Sequence, residues 1–174
     1  MKTALKIFAV ALLIFANSTA FAESPYPQTL DNGNLICVDG GMGVGYYAAK
    51  NSVDVMEYAP PFYVIQIEIV PVTFSESYYR ENGTYIGGSY KFGESFKLNF
   101  KYNWDTKTVF HMVGDIWKAW DIKRSYSHAE GNPMIPYAAE VAFVTAYNMK
   151  FFGDMTGYNG YRVIDENLYN ALGI

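Results

Sequence analysis

The sequence predicts an α+β fold: a twisted antiparallel sheet of roughly six to eight short strands, with a C-terminal helix packed on one face. Two stretches lead to this prediction. Residues 96–104 alternate strictly between apolar and polar side chains, which is the pattern of a strand with one buried face and one wet face. Residues 136–152 are apolar over most of a helical circumference, which indicates a helix buried against such a sheet.

The first residues predict an export signal. Two lysines precede an unbroken apolar run over residues 7–16, and the triplet that ends at Ala22 has small residues at both positions a signal peptidase recognises. We therefore expect residues 1–22 to be a signal peptide cleaved before Glu23. Residues 23–174 would then form one globular domain, periplasmic or extracellular. No apolar run in that part reaches the roughly 20 residues of a spanning helix, so no membrane span is expected in the mature form.

Charge and cysteine content exclude several classes of protein. Loss of the two signal lysines would leave 11 basic and 17 acidic residues, a net charge of −6. Such an acidic chain is not expected to bind nucleic acid, which requires a concentrated basic surface. Residues 91–124 are locally basic, and we interpret this as the solvated face of the sheet. Cys37 is the only cysteine, and its apolar neighbours predict a buried, inert thiol, with intermolecular pairing or a reactive thiol as alternatives.

The first half of the chain predicts short strands separated by turns. An extended arm over residues 23–34 leads to strands over residues 34–38, 44–48 and 52–58, with turns at residues 39–41 and 49–51.

Prolines bound the next predicted strand. Pro60-Pro61 marks a loop, because proline cannot donate a hydrogen bond to a sheet. Residues 63–70 alternate like a strand, and Pro71 predicts that this strand lies at an edge of the sheet or ends there. The Asn-Gly pair within residues 78–86 predicts a further hairpin.

An antiparallel meander over residues 96–122 is the element that the rest of the chain covers. Its predicted strands are residues 96–104, 108–113 and 116–122, joined by turns at residues 105–107 and 114–115. The aromatic side of the first strand should face the helix. Lys97 and Lys101 lie on its wet side, for which the sequence predicts no partner.

The C-terminal part predicts two helices. Pro136 fits the first position of the long helix, and Gly153 fits its end. Glu140, Thr145 and Asn148 fall on one polar arc of this helix. A short helix is predicted over residues 165–172, with an aspartate as its N-terminal cap and a glycine as its end.

Several short motifs are shared with a known group of proteins. They are Gly45-Tyr46-Tyr47-Ala48, Tyr58-Ala59-Pro60-Pro61-Phe62-Tyr63, Tyr102-Asn103-Trp104-Asp105, Trp117-Lys118-Ala119-Trp120 and Tyr147-Asn148-Met149-Lys150-Phe151-Phe152-Gly153. With these motifs the chain resembles small signal-peptide-bearing secreted bacterial proteins of unknown function. The resemblance implies a signal peptide, a small sheet and a C-terminal helix, and no activity, cofactor or catalytic residue.

His128 and Glu130 are the candidate catalytic residues. They lie in a polar loop over residues 125–132, where a histidine base, a glutamate and a serine nucleophile could combine. No G-x-S-x-G motif accompanies them, so a loop with local hydrogen bonds is the preferred interpretation. Residues 43–48 match G-x-G-x-x-A, but the predicted strand after them argues for a turn. The two histidines lack metal-ligand spacing, so neither a cofactor nor a metal is expected.

The aromatic content provides the remaining functional signal. Trp117 and Trp120, with Lys97 and Lys101, are the candidate binding residues, because exposed rings stack on sugars or fill a partner's pocket. The preferred hypothesis is a secreted, non-catalytic module that binds a protein, peptide or glycan. The alternatives are a small secreted hydrolase and a structural or assembly protein of the envelope. The sequence predicts no oligomeric state.

Overall fold

The computed structural model describes residues 26–75, 88–120, 134–157, 160 and 162–174. The expected signal peptide, with its cleavage between Ala22 and Glu23, and the hairpin predicted within residues 78–86 lie outside the described residues. The candidate catalytic residues His128 and Glu130 also lie outside them.

The described chain forms an eight-stranded antiparallel sheet and two α-helices, which confirms the predicted α+β class. The strands are β1 (Thr29–Leu30), β2 (Leu35–Gly41), β3 (Val44–Ala59), β4 (Phe62–Phe74), β5 (Tyr90–Phe92), β6 (Phe96–Asn103), β7 (Thr108–Val113) and β8 (Ile116–Ala119), and the helices are α1 (Met134–Tyr147) and α2 (Glu166–Leu172). The spatial order is β1-β2-β3-β4-β6-β7-β8, and β5 pairs with β4 beyond the end of β6.

The sheet has a helix face, which α1 covers, and an opposite face. Ile65 and Ile67 of β4 and Phe100 and Tyr102 of β6 point to the helix face, and all four are fully buried. The Tyr102 hydroxyl donates a hydrogen bond to the Ala139 carbonyl of α1 at 2.8 Å. The prediction that the aromatic side of β6 meets the long helix is therefore confirmed.

The long helix ends earlier than predicted. It was expected to run to residue 152 and stop at Gly153, but α1 ends at Tyr147. Asn148 follows in the left-handed region, with φ of 53°, and its N–H donates to the Val144 carbonyl at 2.7 Å. Asparagine tolerates this conformation better than most residues, so it ends the helix as glycine usually does. The chain then turns back and buries Phe151 and Phe152 in the core.

The short helix α2 agrees with its prediction. The Asp165 carboxylate accepts a hydrogen bond from the Leu168 N–H at 2.9 Å, and Gly173 ends the helix with φ of 80°. Among the described residues, neither helix has the length and apolar character needed to cross a membrane.

The turn predicted at residues 49–51 is wrong, because β3 continues through it as one bulged strand. The register between β3 and β4 shifts between Ala49 and Asp54. The Ser52 hydroxyl bridges this shift: it donates to the Ala49 carbonyl at 2.7 Å and accepts from the Glu68 N–H at 2.8 Å. A serine side chain thus replaces ladder hydrogen bonds that the extra residues interrupt.

The first hairpin turns two residues later than predicted. Instead of residues 39–41, Met42 and Gly43 form the turn between β2 and β3, with φ of 52° and 83°. Two successive left-handed residues are typical of a type I′ turn, which suits the twist of the flanking strands.

The expectation for Pro71 is also wrong, because β4 is a central strand that continues past it to Phe74. The Pro71 carbonyl accepts a hydrogen bond from the Gly93 N–H at 2.8 Å, on the side where β5 ends and β6 has not begun. In a strand, the N–H and C=O of one residue point to the same neighbour. The N–H that proline lacks therefore falls at this break in the pairing.

Within the part of the chain that the structure describes, the face opposite the helix is covered at one end only. There Tyr26 packs on β2 and β3, where a Cβ on Gly40 would overlap the Tyr26 ring. Tyr26 belongs to a small buried cluster on this face, whose other members are Leu35, Cys37, Tyr47, Ala49, Val72 and Phe74. Farther along the sheet, the residues of β6 to β8 on this face are half-buried or exposed.

Candidate binding surface on the open sheet face

The part of this face that no described residue covers carries rings, amides and lysines side by side. We call it the open patch, and define it as Phe62, Gln66, Lys97, Asn99, Lys101, Phe110, Met112 and Trp117. The strand pairing sets its order, since directly paired residues share a face: Gln66 pairs with Asn99, Lys101 with Phe110, and Met112 with Trp117. None of its side chains is buried.

The polar centre of the open patch is an amide pair. The Gln66 Nε2 donates a hydrogen bond to the Asn99 Oδ1 at 2.8 Å. Among the described residues, nothing binds the Gln66 side-chain carbonyl or the Asn99 amino group. One acceptor and one donor are thus held in place by their mutual bond and face outward.

The lysines flank this amide pair. The Lys101 Nζ lies 5.6 Å from the centre of the Phe62 ring, a cation–π contact that holds the amine over the face. Lys97 is exposed and pairs across the sheet with Glu68, whose carboxylate accepts a hydrogen bond from the Ser95 hydroxyl. Both lysines lie where the sequence placed them, on the side of β6 that faces away from the helix.

The structure separates the two candidate tryptophans. Trp117 is half-buried on the open patch, opposite Met112. Trp120 points to the helix face, where its ring meets the Phe152 ring edge-on at 5.8 Å. Residues three apart in a strand face opposite sides, so this outcome follows from strand geometry. Trp117 thus joins Lys97 and Lys101 on one face, whereas Trp120 packs on the core.

The sequence interpretation missed Gln66 and Phe110. Both come from strands other than β6, and only the register of β4 and β7 against β6 brings them beside Lys101 and Asn99. A signal existed for Gln66: the alternation over residues 63–70 places it on the polar side of its strand. No sequence signal indicated that its partner is Asn99, which lies 33 residues farther along the chain.

The other residues and motifs considered in the sequence analysis, the cysteine, a histidine and the glycine motif, lie within the packed fold. Cys37 is buried, burial raises its pKa to about 12, and its thiol contacts the Asp39 carbonyl at 3.6 Å. Half-buried His111 lies on the helix face beside Lys118; burial first, and then the Lys118 charge, lower its pKa. The described residues contain no group of three or more histidine, cysteine, aspartate or glutamate side chains placed to hold a metal ion. Residues 43–48 enter a strand, so no helix N-terminus follows that motif.

Glu140 is an unexpected buried carboxyl. Of the predicted polar arc, Thr145 is exposed on α1 and Asn148 is exposed but lies beyond the end of the helix, whereas Glu140 is 0 % exposed. It accepts hydrogen bonds from the Tyr169 hydroxyl at 2.8 Å and from the Phe152 N–H at 3.1 Å. Burial raises the pKa of Glu140, and these hydrogen bonds and the nearby Lys107 charge oppose the rise. Since both donors lie in the C-terminal segment, this buried carboxyl links that segment to α1.

Comparisons with models of protein families, with curated proteins and with solved structures find no match to this chain.

Proposed function

We propose that the protein is a non-catalytic binding module, exported to the periplasm or beyond the cell, and that its open patch binds a glycan. The observation that carries the proposal is that Trp117, Phe110 and the Gln66–Asn99 amide pair share one sheet face, left open by the residues that the structure describes. The apolar signal-like run over residues 7–16, and the resemblance to secreted proteins that accompanies it, support the export.

The chemistry of the open patch fits a sugar better than a protein surface. Ring faces pack well on the C–H face of a pyranose, and amides donate to and accept from its hydroxyls. A protein partner of standard size needs an apolar centre freed of charge, whereas this patch has polar side chains through its middle. Lys97 and Lys101 place two positive charges beside the amide pair, which favours a glycan with carboxylate, sulfate or phosphate groups at that point. On the same face, Glu68 lies beside Lys97 and Asp54 lies beside Gln66.

The test compares Trp117→Ala with Ile116→Ala on a glycan array, followed by titration calorimetry of the best acidic glycan. Ile116 is the matched control, because it is exposed, precedes Trp117 in β8 and points to the opposite face. We expect Trp117→Ala to weaken binding by about thirtyfold, or ~2 kcal/mol, and Ile116→Ala to leave it unchanged. Trp120 is left intact, because its contact with Phe152 makes it part of the core.

A second pair of variants tests the role of charge. Lys101→Ala should weaken the binding of acidic glycans and reduce its dependence on salt, whereas Lys118→Ala, on the opposite face, should not. The proposal is wrong if the array captures no glycan, if Trp117→Ala binds like the unaltered protein, or if the two lysine variants behave alike.

A further inference from the structure

The second half of β3 is an edge of the sheet. β2 pairs with β3 only as far as Ala49, opposite Leu35. From Asp54 to Ala59 the strand pairs with β4, and no other strand in the described ranges pairs with it. Each of residues 54–59 is exposed. We call residues 54–59 the half-edge.

The backbone of the half-edge is available for pairing. In an antiparallel ladder, alternate residues direct their N–H and C=O groups away from the strand already paired, so part of this backbone faces outward. Proteins usually block such edges with lysine, proline or a bulge. Residues 54–59 contain neither lysine nor proline, and a single bulge at Met56 interrupts the pairing.

The side chains of the half-edge divide by face. Val55 and Tyr58 point to the helix face, opposite Ile65 and Tyr63, and they are 40 % and 66 % exposed. The Tyr58 ring is held in place by the Tyr63 ring at 5.5 Å and by the Tyr147 ring at 6.0 Å.

The opposite face of the half-edge is acidic. Asp54 and Glu57 both point there, opposite Gln66 and Val64, and both are exposed. Residues 51–59 contain no basic residue.

We propose that the half-edge binds an extended, basic peptide segment of a partner protein as an added strand. Its basic side chains would lie against Asp54 and Glu57, its apolar side chains would pack on Val55 and Tyr58, and its backbone would pair with the outward groups. Main-chain hydrogen bonds give such an added strand its affinity, and alternate side chains give it specificity. Asp54 of the half-edge lies beside Gln66 of the open patch, whereas Trp117 is on the terminal strand β8, so Trp117→Ala tests the glycan site without altering the half-edge.

A second copy of this chain fits the half-edge poorly. In an antiparallel pairing of two half-edges, side chains on the same face meet, so Asp54 and Glu57 of one copy would oppose the same acids of the other. Like charges placed directly opposite destabilise a ladder. A basic strand removes this repulsion.

The experiment measures fluorescence anisotropy of two labelled nine-residue peptides added to the full chain. One peptide alternates lysine with valine and tyrosine, and the other replaces each lysine with glutamate. We expect the basic peptide to bind at least tenfold more tightly than the acidic one. The double variant Asp54→Lys, Glu57→Lys should reverse this preference. Asp105→Lys with Asp115→Lys, which changes the net charge equally at the exposed turns of the meander, should preserve it.

Backbone pairing is tested separately from charge. N-methylation of alternate residues in the basic peptide removes the donors of one of its edges, so at least one of the two methylated registers should bind tenfold more weakly. The inference is overturned if both peptides bind equally or if the charge-reversed variant keeps its preference for the basic peptide. It is also overturned if both methylated registers bind as the parent does, or if sedimentation shows a dimer that the peptide does not dissociate.

Discussion

Glu140 shows how a single residue can join separate parts of the chain. Its carboxyl lies on α1 and accepts hydrogen bonds from the Phe152 N–H and from the Tyr169 hydroxyl of α2. Removing one partner of a buried hydrogen bond leaves the other unsatisfied, which costs about 1–3 kcal/mol. The contribution of Glu140 therefore depends on both donors being in place.

Substitution of Glu140 should separate packing from charge. Glu140→Ala leaves the buried Phe152 N–H without its acceptor and creates a cavity. We therefore expect a loss of about 2–4 kcal/mol in the free energy of unfolding, measured with urea. Glu140→Gln keeps the shape of the side chain and an acceptor for that N–H, so its loss should be smaller. Equal stability of Glu140→Ala and the unaltered protein would contradict this role.

The same pair should differ in pH dependence. The folded protein binds the Glu140 proton more tightly than the unfolded chain, because burial raises the pKa of this carboxyl. The resulting stability is present below the ordinary carboxyl pKa and is lost as the pH rises through the raised value. The free energy of unfolding of the unaltered protein, minus that of Glu140→Gln, should therefore fall over this range.

At the scale of the elements, α1 packs in the core through aliphatic side chains and one aromatic ring, Phe143. The Phe143 ring stacks on Trp104 at 5.5 Å and meets the rings of Tyr63, Tyr102, Tyr147 and Phe151 at 4.9–5.6 Å. Phe143 is fully buried, whereas Thr145, two residues farther along α1, is exposed. The helix thus has one ring at the centre of its packing.

Phe143→Ala and Thr145→Ala form a matched test of that packing. We expect Phe143→Ala to lower the free energy of unfolding by about 3–5 kcal/mol, because it removes a buried ring and leaves a cavity. Thr145→Ala should change it by less than about 0.5 kcal/mol. Urea unfolding followed by circular dichroism measures both, and similar losses in the two variants would show that Phe143 is not the centre of the contact.

The elements that the sequence predicted well have local signals. The strand over residues 108–113 has the predicted bounds, and the Gly114-Asp115 turn follows it, because alternation and turn residues agree there. The fused strand β3 has no such signal. Its bulge depends on the Ser52 hydroxyl reaching the Glu68 N–H of the next strand, a tertiary contact that a single sequence does not specify.

At the scale of the whole molecule, the two sheet faces have different roles. The helix face contains the main core, to which β2, β3, β4, β6, β7 and both helices contribute. The other face has the small cluster that includes Tyr26 at one end and the open patch farther along. The sequence predicted which side of β6 is wet. It did not predict the neighbours across the sheet, since strand order and register arise from packing of the whole domain.

A shared core predicts one cooperative unfolding transition. Trp104 stacks on Phe143 and Trp120 meets Phe152 edge-on, so the fluorescence of these tryptophans reports on the core, while far-ultraviolet circular dichroism reports on the sheet and helices. We expect the two urea transitions to superimpose, as in most two-state domains of this size. Two separate midpoints would show that α1 and the C-terminal segment unfold apart from the sheet.

The buried carboxyl also bears on biosynthesis. The Phe152 and Tyr169 donors of Glu140 come 12 and 29 residues after it, so a nascent chain that has emerged only as far as α1 offers the carboxylate the charge of Lys107 but neither of these hydrogen bonds. Burial of an ionised carboxylate without hydrogen-bond donors is strongly unfavourable. We therefore expect α1 to remain solvated, and not packed on the sheet, at this stage. We expect the native core to pack only after Tyr169 has left the ribosome. The incomplete chain would therefore remain without a packed core during synthesis.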